Sequence, residues 1–242
     1  MELTPFDTTA MQEFAGDGLK EFTCDTLNPL MDNEGPDLDD QSQDRYRGLD
    51  TDLSFLHTPR ERSYIDLLQV KAAKDHIQRL PSDGESIHGV VSGRYPLFAI
   101  VPSILELAAP ATIDKLTLVT LSYSRDNAHD LIELFDAGKI KSVSLMTSHY
   151  FAAQNPHLYD PLLAEMVARG QRMIALRTHA KIILARMSDG ITYVVESSAN
   201  LRSCKNIEQF VFTRCDELYH FHSRWINGLF TAAEKTDNDK GE

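Results

Sequence analysis

The apolar positions along the chain change period in a way that separates helices from strands. From Glu61 to Leu80, the residues Tyr64, Ile65, Leu67, Leu68, Ala72 and Ile77 fall mainly on one helical face. Pro81-Ser82-Asp83-Gly84 then closes the element. The continuous apolar run Tyr95 to Val101 predicts a buried strand, and Pro102, suited to a first helical turn, introduces a helix over Ser103 to Ala109 that Pro110 stops. Leu116 to Ser122 predicts the next strand, Asn127 to Ala137 a helix closed by Gly138, and Ile140 to Thr147 another strand. A helix over Pro161 to Ala168 ends at Gly170, and Arg172 to Leu176 returns to strand.

From His179 onwards the alternation changes. His179 to Arg186 and Ile191 to Glu196 are two strand-like runs around Met187-Ser188-Asp189-Gly190, and Asp-Gly is a tight-turn signal, so a β-hairpin is predicted. Phe210 to Phe212 adds a strand, and Asp216 to Ala233 carries Leu218, Phe221, Trp225, Ile226 and Leu229 at helical spacing. Strands and helices joined by short connections predict an α/β fold, with a mixed, largely parallel sheet flanked by helices on both faces.

Composition sets the scale of that fold. With 242 residues, 42% of them hydrophobic and 25% charged, the chain has apolar side chains enough for one sizeable core. Its formal net charge of -12 argues at first against a polyanionic partner. The charge is unevenly placed, however: residues 1–60 carry 14 acidic side chains against 4 basic ones, and residues 61–242 are nearly neutral. An acidic stretch with little apolar periodicity buries too little surface to offset chain entropy, so residues 1–55 are predicted to be a disordered acidic segment. A folded domain over 56–233 and a polar tail over 234–242 follow. Cys24, Cys204 and Cys215 have neither disulfide-framework nor zinc-ligand spacing, which fits a reduced, cytoplasmic setting. No apolar run approaches the roughly 18 residues of a transmembrane helix, so no membrane partner is expected.

Within the hairpin, His179 and Lys181 stand two residues apart and are expected on one strand face. The second strand runs into Ser197-Ser198-Ala199-Asn200, and the end of a hairpin's second strand lies beside the start of its first. Asn200 is thereby brought toward His179 and Lys181. Such a group suits phosphoryl transfer, in which an imidazole attacks phosphorus while Lys and Asn bind the oxygens that gain charge. Glu208 offers a carboxylate to the other ring nitrogen. Residues 171–205 hold Arg172, Arg177, Lys181, Arg186, Arg202 and Lys205 against only Asp189 and Glu196, a local excess that would draw a polyanion. His149, just after a strand, is expected to line the same pocket. The set requires no metal and no other cofactor.

These segments resemble the phospholipase D superfamily, whose motif is His-x-Lys, a strand, a turn and Gly-Ser-x-Asn, with a downstream Glu in a segment like Asn206-Ile207-Glu208-Gln209-Phe210. The resemblance implies a phospholipase D-like domain in which His179 is the nucleophile that forms a phosphohistidine. It further implies that Lys181 and Asn200 hold the phosphate, Ser198 adds a donor and Glu208 orients His179. Ser197, Arg177, Arg186, Arg202 and His149 are expected to contact substrate. Members of the superfamily build one active site from two such motifs, and none of the other eight histidines here is followed two residues later by Lys. A homodimer is therefore implied, acting as a metal-independent nuclease on nucleic acid, DNA ahead of RNA. Arg186 stands where the family usually carries Asp, and Ser197 where it carries Gly. Arg186 favours an alternative, a catalytically weak or inactive dimer that binds nucleic acid or protein. Phe6, Phe14 and Phe22, eight apart among acids, read as a segment that docks on a protein partner or competes with nucleic acid for the basic residues.

Overall fold

Strand pairing in the computed structural model, which describes residues 67–202 and 206–238, runs through seven strands in the order β1-β7-β6-β5-β2-β3-β4. The strands are β1 (Ser86–Ser92), β2 (Ile113–Val119), β3 (Val143–Ser148), β4 (Arg172–Leu176), β5 (Ile182–Met187), β6 (Thr192–Ser197) and β7 (Ile207–Thr213). The helices are α1 (Leu67–Ile77), α2 (Ile100–Leu107), α3 (Arg125–Asp136), α4 (His149–Gln154), α5 (Pro156–Ala168) and α6 (Asp216–Asn238). The acidic segment 1–55 lies outside the described residues, as do Cys24, Cys204 and Lys205. No described helix is long and apolar enough to cross a membrane.

The sheet is mixed, but it is not largely parallel. Only β2–β3 and β3–β4 pair in parallel, whereas β1–β7, β7–β6, β6–β5 and β5–β2 are antiparallel. The connections explain the difference. A parallel pair needs a long crossover, here supplied by α3 and by α4 with α5. The turn from Met187 to Thr192 and the return into β7 are too short for that, so β5–β6 and β6–β7 fold back antiparallel.

Four local readings differ in the structure. The run Tyr95 to Val101 is not a strand: Leu97–Ala99 form a turn of 3-10 helix that leads straight into α2, with Pro102 inside its first turn. Every residue from Leu97 to Val101 is almost completely buried, and a wholly apolar run has no periodicity by which strand and helix can be told apart. Missing from the expectation is β1, where Gly89 and three polar residues break the apolar alternation at the sheet edge. Also missing is α4, which Ser148 starts by accepting the Phe151 N–H at 2.9 Å. The final helix also continues to Asn238, past the expected end at Ala233.

Alternation along β5 divides the core. Ile183, Ala185 and Met187 join a large cluster with Ala73 and Ile77 of α1, Ile100 and Ile104 of α2, Leu131 and Leu134 of α3, and Leu162 and Met166 of α5. Ile182 and Leu184 join a smaller one with Val119, Met146, Val194 and the α6 residues Tyr219, Ile226 and Phe230. Ser124 caps α3 reciprocally: its Oγ accepts the Asn127 N–H at 3.2 Å, and Asn127 Oδ1 accepts the Ser124 N–H at 3.1 Å.

Gly89 is fixed by a close approach rather than by a turn. It lies opposite Phe210 in the β1–β7 register, and a Cβ there would stand 2.3 Å from the Phe210 ring. Phe210 is buried and also meets the His76 ring edge-on, so the ring cannot swing away freely. Gly89→Ala is therefore expected to cost about 1–3 kcal/mol, the usual range for overpacking, seen as a lower urea midpoint at unchanged m-value.

Candidate active site

The register brings the carboxyl ends of β2, β3 and β4 to one edge of the sheet. Val119 lies opposite both Met146 and Ile182, and Ser148 lies opposite Leu176. The carboxyl ends of parallel strands are where α/β sheets place their ligands. Because β5 runs the other way, its beginning arrives at the same edge, and the segment just before it carries His179 and Lys181.

The two residues precede β5 rather than sit on it, so strand alternation does not set their directions. Thr178 Oγ1 accepts the Ala180 N–H at 3.2 Å, and Lys181 turns its side chain back on the segment. Lys181 Nζ lies 2.9 Å from His179 Nδ1 and donates to the His179 carbonyl oxygen at 2.9 Å. The lysine is only 7% exposed, whereas the imidazole is exposed. Burial lowers the Lys181 pKa, and the Glu208 carboxylate opposes that shift.

Ser197 to Asn200 meets this segment through the backbone, the Ser197 N–H donating to the Lys181 carbonyl at 3.1 Å. Ser198 faces Glu208: its Oγ donates to the carboxylate and accepts the Gln209 N–H at 3.0 Å. Ser197, expected to touch substrate, instead ties the loop together. Its Oγ donates to the Gln209 carbonyl at 2.7 Å and accepts the Ala199 N–H at 2.9 Å. Asn200 is held by its neighbour, as Leu201 N–H donates to Thr120 Oγ1 at 3.3 Å and Leu201 O accepts the Phe98 N–H at 3.1 Å. Asn200 Oδ1 is buried with no hydrogen-bond partner among the described residues. An unsatisfied buried amide costs about 1–3 kcal/mol and marks a position that a ligand can complete. A half-turn of the amide presents its two N–H donors there instead.

Of the remaining expected contacts, His149 directly follows β3 and Arg177 directly follows β4 at this same edge, both exposed, and Arg202 stands two residues past Asn200. Arg186 does not belong to the group. It lies five residues along β5 from Lys181, about 17 Å away at the usual strand rise, opposite Lys115 and Thr192. Arg172, at the start of β4, is likewise displaced toward that far end. The expected basic collar therefore divides: Arg172 and Arg186 lie away from the end of the sheet where Arg177 and Lys181 stand.

Thr120 joins the site without a motif to mark it in the sequence. It is completely buried just past β2, and it donates to the Ser122 carbonyl at 2.8 Å while accepting from Leu201. The available signal was a hydroxyl interrupting an apolar strand at its end. Among the described residues no three His, Cys, Asp or Glu side chains gather as a metal ion would need.

No family model matches the chain, and no curated protein matches it. Among solved structures it is similar to Nuc, a phospholipase D family member from Salmonella typhimurium. That likeness has 16% identity and a TM-score of 0.43, and covers 59% of this chain and 93% of the other. A yeast tyrosyl-DNA phosphodiesterase is similar at 13% identity and TM-score 0.36, over 53% of this chain and 32% of that one. TrmBL2, an archaeal chromatin protein described with a novel mode of DNA binding, is similar at 13% identity and TM-score 0.37, over 60% of this chain and 52% of that one.

The buried ammonium has a checkable cost. With its pKa lowered on folding, Lys181 opposes folding at pH values below its folded-state value, and the penalty fades as pH rises from there toward the unfolded value near 10.5. Lys181→Met is expected to raise the thermal midpoint at pH 7 and to lose that advantage above about pH 10, read by thermal unfolding at the two pH values.

Proposed function

We propose that the chain is a phospholipase D-like phosphodiesterase, a metal-independent nuclease that hydrolyses nucleic acid through a phosphohistidine at His179. One observation carries the reading. Lys181 Nζ stands 2.9 Å from His179 Nδ1, and the Ser197 N–H on the Lys181 carbonyl ties to that segment the loop of Asn200, whose amide oxygen has no partner among the described residues; this supports an imidazole, a cation and an unfilled polar group acting together. The resemblance of His179 to Phe210 to the superfamily motif supports the same chemistry.

In the free protein a charged Lys181 donates to Nδ1, which leaves the imidazole proton on Nε2. An incoming phosphate accepts the ammonium and releases Nδ1. The imidazole proton then moves to Nδ1, and Nε2 becomes the nucleophile. Nε2 bonds to phosphorus as the bond to the leaving oxygen breaks, with Lys181 and the Asn200 amide on the non-bridging oxygens. A second imidazole protonates the leaving oxygen and then activates the water that frees the phosphate. That imidazole comes from the His179 of a second copy, which makes the active enzyme a homodimer.

The alternative of an inactive binding dimer rests on Arg186. Its distance from Lys181, about 17 Å at the usual strand rise, argues that the exchange of Asp for Arg leaves the reacting groups intact.

Purified chain incubated with plasmid and single-stranded DNA in EDTA is expected to cleave, with His179→Ala reduced at least about 10³-fold. Equal cleavage by both proteins refutes the site, and binding without cleavage by the unaltered chain points to the inactive module.

A further inference from the structure

Three cations converge at the end of the sheet opposite His179. Lys115 and Arg186 are direct cross-strand partners in the β2–β5 register. Arg172 lies opposite Ser144, which lies opposite Thr117, two residues from Lys115. At ordinary strand spacings this puts the Arg172 and Lys115 backbones about 12 Å apart, within reach of two long side chains. All three share the α6 face, since Val119, Ile182, Leu184, Ile174 and Leu176, at even spacing from them on their own strands, pack with α6.

Like charges directly opposite one another on a sheet destabilise it. Here the repulsion is poorly answered from within the chain. Lys115 Nζ reaches only the Asn227 amide oxygen, at 3.4 Å, and neither Lys115 nor Arg186 has a carboxylate within ion-pair distance among the described residues. Of the nearby acids, Glu234 holds Arg172 Nε at 2.7 Å, and Asp216 receives the Thr192 hydroxyl. Burial, with Arg172 and Arg186 adding to it, lowers the Lys115 pKa, as expected where positive charge is crowded. The cluster is open to solvent all the same: Arg186 is exposed, and Lys115 and Arg172 are half-buried.

We propose that Lys115, Arg172 and Arg186 form a second phosphate-binding site, which takes the sugar-phosphate backbone of nucleic acid away from the bond that is cleaved. The inference rests on the nucleic-acid reading of the His179 site, but it assigns Arg186 to binding at a distance rather than to the chemistry. Planar guanidinium forks beside an ammonium match the oxygens of a phosphodiester. The two sites lie about 17 Å apart, so a strand engaged at both contacts the protein over several nucleotides. A chain of net charge -12 holds a polyanion only through such local concentrations of positive charge.

The test uses the full chain, a fluorescein-labelled single-stranded oligonucleotide in EDTA at several salt concentrations, and the variants Arg186→Gln, Arg186→Lys and Lys115→Gln/Arg186→Gln. Arg186→Gln is expected to weaken binding roughly 5- to 10-fold and to lower the salt slope by about one, the double variant by about two, and Arg186→Lys to keep most of the affinity. Hydrolysis of bis(p-nitrophenyl) phosphate, too small to reach both ends, is expected to be unchanged in Arg186→Gln. Oligonucleotide affinity and salt slope that do not move overturn the proposal, as does loss of small-diester hydrolysis in Arg186→Gln. So does inorganic phosphate that shifts the Arg186 and Arg172 Nε–H NMR signals while the oligonucleotide does not, because the site then serves free phosphate. If His179→Ala leaves small-diester hydrolysis intact, the catalytic reading fails while the binding arm still decides this one.

Discussion

A lysine held at 7% exposure at the edge of a sheet must have its ammonium met by acceptors, and the rest of the site is arranged around meeting that of Lys181. His179 offers two acceptors, its ring nitrogen and its own carbonyl. Both come from a segment only two residues upstream, so the turn before β5 must stay tight. The Lys181 carbonyl is in turn clamped by the Ser197 N–H. Through that clamp the loop bearing Ser198 and Asn200 is referenced to the same few atoms. What the arrangement lacks is a full charge complement, because Glu208 only opposes the effect of burial and leaves the ammonium ready for an anion.

Topology determines why this happens at one edge only. Parallel β2, β3 and β4 end there, antiparallel β5 begins there, and the loop from β6 to β7 returns to it. Thr120 couples the two halves, joining the end of β2 to Leu201 by one hydroxyl. At the other edge the same alternation lines up Lys115 and Arg186 beneath α6. Two cationic groups thus arise from one sheet, separated by the length of one short strand.

Sequence made the hairpin plain, because Asp189-Gly190 is a local turn signal and the strands on either side are apolar; the observed pairing of Ile182 with Glu196 agrees. That hairpin also sets the Ser197 N–H on the Lys181 carbonyl, and so the segment of Ser198 and Asn200 next to that of His179 and Lys181. Arg186 shows the limit of the same reasoning. Closeness along the chain was read as closeness in space, yet five residues of extended strand carry a side chain to the opposite end of the sheet. Ser197 shows another: whether a hydroxyl faces a ligand or the Gln209 carbonyl depends on a partner twelve residues away. For β1 the information lay across the sheet, in the Phe210 ring that fills the space a side chain at Gly89 would take.

Charge carries the argument furthest. The overall excess of acid suggests repulsion from any phosphate polymer, but Coulomb energies between exposed charges fade over about 10 Å at moderate salt, so a ligand feels the nearest cations far more than a distant average. Lys181 is buried and shielded from that screening, while Arg186 is exposed and subject to it. Contacts at the two ends of β5 therefore differ in kind. Under the proposed reading, the Lys181 end gives a short-range, orientation-dependent grip on one phosphate, whereas the Arg186 end gives a salt-sensitive hold that orders the strand without demanding exact geometry. Under the proposed function the two are complementary, since an enzyme acting on a phosphodiester polymer must keep hold of a chain that it meets at one phosphate.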